Sequence, residues 1–323
     1  MRLRNRGIIV NPEDLTKELI QTLADCGINE LGIHSGGGRC ASELIAQTLL
    51  WHSREKTQSL FRLAESKGIT VEYDEHILRT LVPANLFEAH PDWFRMDAAG
   101  RRVADFNICA SSDEALSYVS RRAAEIARKL KTSSHRYAYW IDDVTDTSCH
   151  CEKCRSLKPA DQALRITNAI LRGLKTVDPL AITGFLAYND AMDLPENTQP
   201  EKGVYLEYAP INRDSDVPID DQSSEKNRAE TAKLKDMLAL FGTENARVLE
   251  YWMDNSRFSN WTKPPKPFRL NEAVMRRDVS YYASLGFEDM TSFGCYLGPD
   301  YEALYGKADY SAYAAILGAE YTL

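Results

Sequence analysis

The sequence has no apolar run approaching the roughly 20 residues that a membrane-spanning helix needs. Its opening residues do not read as an export signal. The opening MRLRNRGIIVNPEDL is basic, but its apolar part is only about four residues and Asn and Pro follow. The expectation is a cytoplasmic protein with no membrane partner. Positive charge is in short supply: 39 Lys and Arg stand against 47 Asp and Glu, a net charge of −8. No basic cluster carries interleaved aromatics, which argues against nucleic acid as a partner. A GxGxxG after the first strand is missing, which weakens a dinucleotide-binding sheet. Low-complexity stretches and linker-like shifts of composition are missing too. Residues 1–323 therefore read as one domain.

What is present is alternation. Short apolar strands at residues 7–10, 30–34, 70–74, 137–141, 181–188, 203–208, 247–252 and 290–296 are separated by helical segments. Asn11-Pro12-Glu13 reads as a capped helix start with Leu15, Leu19 and Leu23 on one face. Ser111 with Glu114 reads as a capping box. Gly27, Gly68 and Gly286 each stand between a helix and the next strand, where a left-handed helix end is needed. Eight strands each followed by a helix predict a (β/α)8 TIM barrel.

In such a barrel, function sits at the C-terminal ends of the strands. The residues there include His34 beside the glycine run 36–38, then Asp142-Asp143, Tyr188, Asn189, Glu207, Tyr208, Glu250, Trp252 and Asp254. Carboxylates, amides and aromatics in this mixture suit a polyhydroxylated ligand, so a carbohydrate is the expected partner. Two adjacent carboxylates repel, and one can then stay protonated near neutral pH, as a glycosidase acid requires. Glu207 and Glu250 lie inside apolar strands, so they either point into the pocket or are paired within the barrel. A homo-oligomer is left open.

Seven cysteines, in the large intracellular protein expected here, read as thiols or metal ligands before disulfides. Cys149, Cys151 and Cys154 supply three sulfurs in a C-x-C-x-x-C run, and Cys109 is a candidate fourth ligand for a structural zinc. Reduced thiols or a disulfide are the alternatives. An HExxH-like pair is absent, which argues against a catalytic zinc.

Three segments then carry a resemblance: HPDWFRMDAAGRR from His90, FNICASSDEAL from Phe106, and WIDDVTDTSCHCEKCRSL from Trp140. With YAPINRD (208–214) and YWMDNSRF (251–258), they resemble a bacterial domain of unknown function linked to glycoside hydrolase family 163, the endo-acting β-N-acetylglucosaminidases. The resemblance spans about residues 87–261. It implies Asp143 at the family's acidic position. The Asp-Asp pair also looks like that of the retaining hexosaminidases of families 84 and 20. That likeness implies Asp142 orienting a 2-acetamido group and Asp143 as general acid, with no cofactor required. It further implies Tyr188, Asn189 and Tyr208 as hydrogen-bond partners and Trp252 as a stacking wall. Two other readings stay open. One is a metal-dependent sugar isomerase or aldolase using Glu207, Glu250 and His34. The other is a non-catalytic carbohydrate-binding barrel with an aromatic face at Tyr301, Tyr305, Tyr310 and Tyr313.

Overall fold

A computed structural model describes residues 1–321. All eight expected strands form: β1 (Asn5–Val10), β2 (Glu30–Ile33), β3 (Thr70–His76), β4 (Arg136–Trp140), β5 (Ile182–Ala187), β6 (Val204–Tyr208), β7 (Arg247–Glu250) and β8 (Asp289–Ser292). They close into one barrel in sequence order, and every described pairing is parallel. This is the (β/α)8 TIM barrel that the alternation predicts. Gly27, Gly68 and Gly286 adopt φ of +82°, +77° and +92°, the left-handed helix end that only glycine takes without strain.

Two local expectations are corrected. Pro12–Asp14 is a single 3-10 turn, and the helix Lys17–Asp25 starts later, where Thr16 accepts a hydrogen bond from the Leu19 N–H. The Asn11 side chain instead donates to the His34 carbonyl at 2.9 Å. Ser112, rather than Ser111, caps the helix Asp113–Ala127, and Glu114 accepts from the Trp93 indole N–H at 3.2 Å. Ser, Thr and Asp compete for a helix start within a residue or two, so spacing alone does not pick the winner.

By internal contacts the chain divides into two compact units. The first comprises Met1–His34, Trp51–Glu72 and the chain from Glu207 onward; the second comprises Ser35–Leu50 and Tyr73–Leu206. In the first unit, Arg247 at the start of β7 donates to Glu207 of β6, to Glu30 of β2 at 3.0 Å and to Glu72 of β3 at 2.9 Å. All four side chains are buried. Gly7 of β1 leaves them room, because a Cβ there would lie 2.8 Å from Glu30 Oε1. In the second unit, β3 and β4 pair Asp74 with Ala138, Glu75 with Tyr139 and His76 with Trp140. His76 and Trp140 share one face, with ring centroids 5.0 Å apart. Glu75 and Tyr139 share the opposite face. No described helix is long and apolar enough to cross a membrane.

Candidate active site

The second unit carries the Asp142-Asp143 turn, directly after β4. The two carboxylates part company there. Asp142 is buried, and its Oδ1 accepts from the Arg79 backbone N–H at 3.1 Å. Its Oδ2 accepts from the Asn107 N–H at 2.7 Å, and its own N–H donates to Asn107 Oδ1 at 3.1 Å. Asn107 holds a left-handed φ of +50°, which Asn tolerates better than most residues. Its amide nitrogen reaches Thr147 Oγ1 at 2.8 Å. Asp142 therefore ties its own turn to the short helix Leu78–Leu81 and to the loop at Asn107. Burial pushes its carboxyl up to about 6, against the pull of the two backbone N–H groups. A cavity of about 40 Å³ lies against it, bounded also by His76, Thr147, Tyr188 and Asn189. With both oxygens held by backbone N–H groups, Asp142 is engaged within the protein.

Asp143 is the half-exposed member of the pair. The Tyr188 hydroxyl donates to its Oδ1 at 2.8 Å. Gly37 lies against its other oxygen so closely that a Cβ there would sit 2.3 Å from Oδ2. His76 is fixed by its Nδ1–H, which donates to the Ile141 carbonyl at 2.7 Å; a carbonyl only accepts, so Nδ1 carries the proton. Its ring lies 6.0 Å from that of Tyr188. Asn189 adopts φ +47° and opens the turn Asn189–Ala191, whose Asp190 accepts from the Asp146 N–H at 2.6 Å. Asp143, Tyr188, Asn189 and His76 thus come together. Gly37 and His76 are the members that sequence reasoning left without a role. Their signal was position: each follows or ends a strand on the functional face.

In the first unit, His34 packs edge-on to Phe293 at 5.1 Å, and Tyr251 stacks on the same ring at 5.6 Å. Five residues expected to meet a ligand are bonded or packed within the protein there. Glu207 belongs to the Arg247 cluster inside the barrel. Glu250 accepts from Arg213 and from the Tyr282 hydroxyl, and Arg213 also bridges to Asp278 at 2.7 Å. Trp252 is buried and donates its indole N–H to Asp278 at 2.8 Å. Tyr208 is wholly buried against Tyr282. Asp254 caps the short helix Asn255–Phe258, accepting from the Ser256 and Arg257 N–H groups. Each buried carboxylate had to find a cation or N–H donors, and each found them within the protein. A metal held by Glu207, Glu250 and His34 would have to compete with Arg247 and Arg213 for the two carboxylates. Of the C-terminal tyrosines, Tyr301, Tyr310 and Tyr313 are buried and only Tyr305 is exposed, so they build core and no aromatic face.

Among the described residues, one group has metal-ligand spacing. The sulfurs of Cys109, Cys149, Cys151 and Cys154 all lie within 4.8 Å of one another, and all four residues are buried. All seven cysteines are free thiols, with no disulfide among the described residues.

The chain belongs to the family described as a domain of unknown function, DUF4838, which matches residues 42–304. No curated protein matches it. Among solved structures, it is similar to the β-galactosidase from the psychrophilic Marinomonas ef1, with TM-score 0.53 and 14% identity over 98% of this chain and 58% of that one. It is also similar to ZgEngAGH5_4 in complex with a cellotriose, with TM-score 0.51 and 13% identity over 95% and 88% of the two chains. A third is the GH36 α-galactosidase AgaB from Geobacillus stearothermophilus, with TM-score 0.50 and 12% identity over 97% and 40%. The chain thus spans little more than half the length of the β-galactosidase. At these identities the likeness is one of fold: the chain shares its barrel with glycoside hydrolases.

Proposed function

We propose that the protein is a retaining glycoside hydrolase acting on a β-linked N-acetylhexosamine, with Asp143 as its acid and base. The observation that carries this is the division of labour at the end of β4. Asp142 is buried and bonded to backbone on both oxygens, which leaves Asp143 as the half-exposed carboxyl of the turn, oriented by the Tyr188 hydroxyl. A single acid/base suffices when the substrate brings its own nucleophile. The 2-acetamido oxygen attacks the anomeric carbon as the glycosidic bond breaks, and Asp143 passes its proton to the leaving oxygen. Water then attacks the same carbon and opens the cyclic intermediate, giving a proton back to Asp143. The resemblance of residues 87–261 to the domain linked to family 163 supports the N-acetylglucosaminidase form of the reading.

Asp142 then acts through Asp143 by fixing the turn, and Tyr188 and Asn189 are placed to hold substrate hydroxyls or the acetamide. A crystal structure with an N-acetylglucosamine-derived thiazoline, which mimics the cyclised intermediate, tests this. Asp143 should lie within hydrogen-bond reach of the mimic's ring system on the leaving-group side. A thiazoline seated away from Asp143 contradicts the assignment.

A further inference from the structure

We infer that Cys109, Cys149, Cys151 and Cys154 hold one zinc ion as a closed tetrathiolate, and that this ion pins the turn carrying Asp142 and Asp143. The geometry is that of a metal site. Cys109 Sγ lies 3.6 Å from Cys151 Sγ and 3.8 Å from Cys154 Sγ. Four sulfurs at about 2.3 Å from a tetrahedral zinc stand about 3.8 Å apart. Disulfide-bonded sulfurs would stand at about 2.05 Å. Tetrahedral four-sulfur sites select zinc or iron, and four protein ligands leave no open position for chemistry, which makes the site structural. His150 is exposed while the four cysteines are buried, and its backbone N–H is donated to the Met96 carbonyl at 2.8 Å. It stands outside the ligand set.

The surroundings fit a charged cluster. Binding converts four thiols to thiolates and releases four protons, leaving zinc and its ligands with a net charge of −2. The Met96 N–H donates to Cys149 Sγ at 3.3 Å and Arg102 Nη1 lies 3.8 Å from the same sulfur. The Ser111 hydroxyl lies 3.2 Å from Cys154 Sγ and itself accepts from Arg165 Nη1 at 3.2 Å. Arg102 thus faces a sulfur directly and Arg165 reaches the cluster through the Ser111 hydroxyl, positive charge that suits a buried anionic cluster.

The link to the turn runs through Asn107, which lies two residues before Cys109. Asn107 bonds Asp142 and also Thr147, which lies two residues before Cys149. An ion shared by Cys109 and Cys149 closes the ring of contacts that holds the turn. The site stands whether or not Asp143 is an acid, so its test is independent of activity. Protein purified under reducing conditions, loaded with zinc and dialysed should retain one zinc per chain by elemental analysis. A mercurial that blocks the thiols should release it. Cobalt should give the absorption of a tetrahedral cobalt thiolate. Cys151→Ser should lose the bound zinc, whereas Cys40→Ser, at an exposed cysteine outside the cluster, should keep it. Wild-type protein that retains no zinc, that prefers iron, or that shows Cys109 disulfide-bonded to a neighbour by mass spectrometry overturns the inference.

Discussion

Replacing Glu75 by glutamine should remove a pH dependence of stability that the wild type carries. Glu75 is wholly buried on β3, where Ser35 donates its N–H and its hydroxyl to the carboxyl, the latter at 2.6 Å. Thr48 Oγ1 lies 2.7 Å from the same Ser35 hydroxyl. Burial, with the neighbouring charge of Asp74, pushes Glu75 from its ordinary 4.5 up to about 8, against the pull of the Ser35 bonds. The folded protein therefore keeps a proton that the unfolded chain gives up near 4.5. The stability this group contributes is complete below 4.5, declines as pH rises and is lost once pH passes about 8. At roughly 1.4 kcal/mol per pH unit, the loss between about pH 6 and pH 9 is about 2.7 kcal/mol. For a chain of this size that is a fall in melting temperature of about 4 °C. The introduced glutamine reproduces the protonated carboxyl in shape and in having a donor, but does not titrate.

Thermal unfolding followed by circular dichroism, for wild type and Glu75→Gln across about pH 6 to 9, measures the effect. Asp14 and Glu230, each raised to about 7 mainly by burial, titrate in the same window in both proteins. The difference between the two curves is therefore the readout. It should widen in favour of the variant as pH rises. Parallel curves would refute the reasoning.

Arg247→Met strands the buried carboxylates of Glu30, Glu72 and Glu207 and should cost about 3–5 kcal/mol in denaturant unfolding; a loss under about 1 kcal/mol contradicts the cluster's role. Gly37→Ala places a methyl 2.3 Å from Asp143 Oδ2 and should lower kcat at least about tenfold by displacing the acid, with the melting temperature nearly unchanged. Unaltered kcat in that variant would separate Asp143 from the chemistry.

The barrel was legible because its signals are local. Each strand is a short apolar run, and each of three helix ends is marked by a glycine in the left-handed region. Cys109 and the C-x-C-x-x-C run were also readable as one group, since Cys109 follows the third strand and the others follow the fourth. The fates of Glu207 and Glu250 were not readable. Both sit in apolar strands, and whether a buried carboxylate meets a ligand or an arginine depends on residues distant in sequence. Arg247 answers Glu207 from the neighbouring strand, and Arg213 answers Glu250 from a loop. The split between Asp142 and Asp143 was likewise hidden, because it rests on where the Arg79 and Asn107 N–H groups lie. Gly37 carries meaning only through its contact with Asp143.

Proton transfer on an N-acetylhexosaminide is the role proposed for Asp143. Release of the aryl group from an aryl N-acetyl-β-glucosaminide, measured for wild type and Asp143→Asn beside the matching aryl β-glucoside, tests it most directly. The wild type should turn over the acetamido substrate alone, and Asp143→Asn should lose that turnover while keeping the wild-type melting temperature. Undiminished turnover by Asp143→Asn, or equal cleavage of the glucoside that lacks the acetamido group, would contradict it.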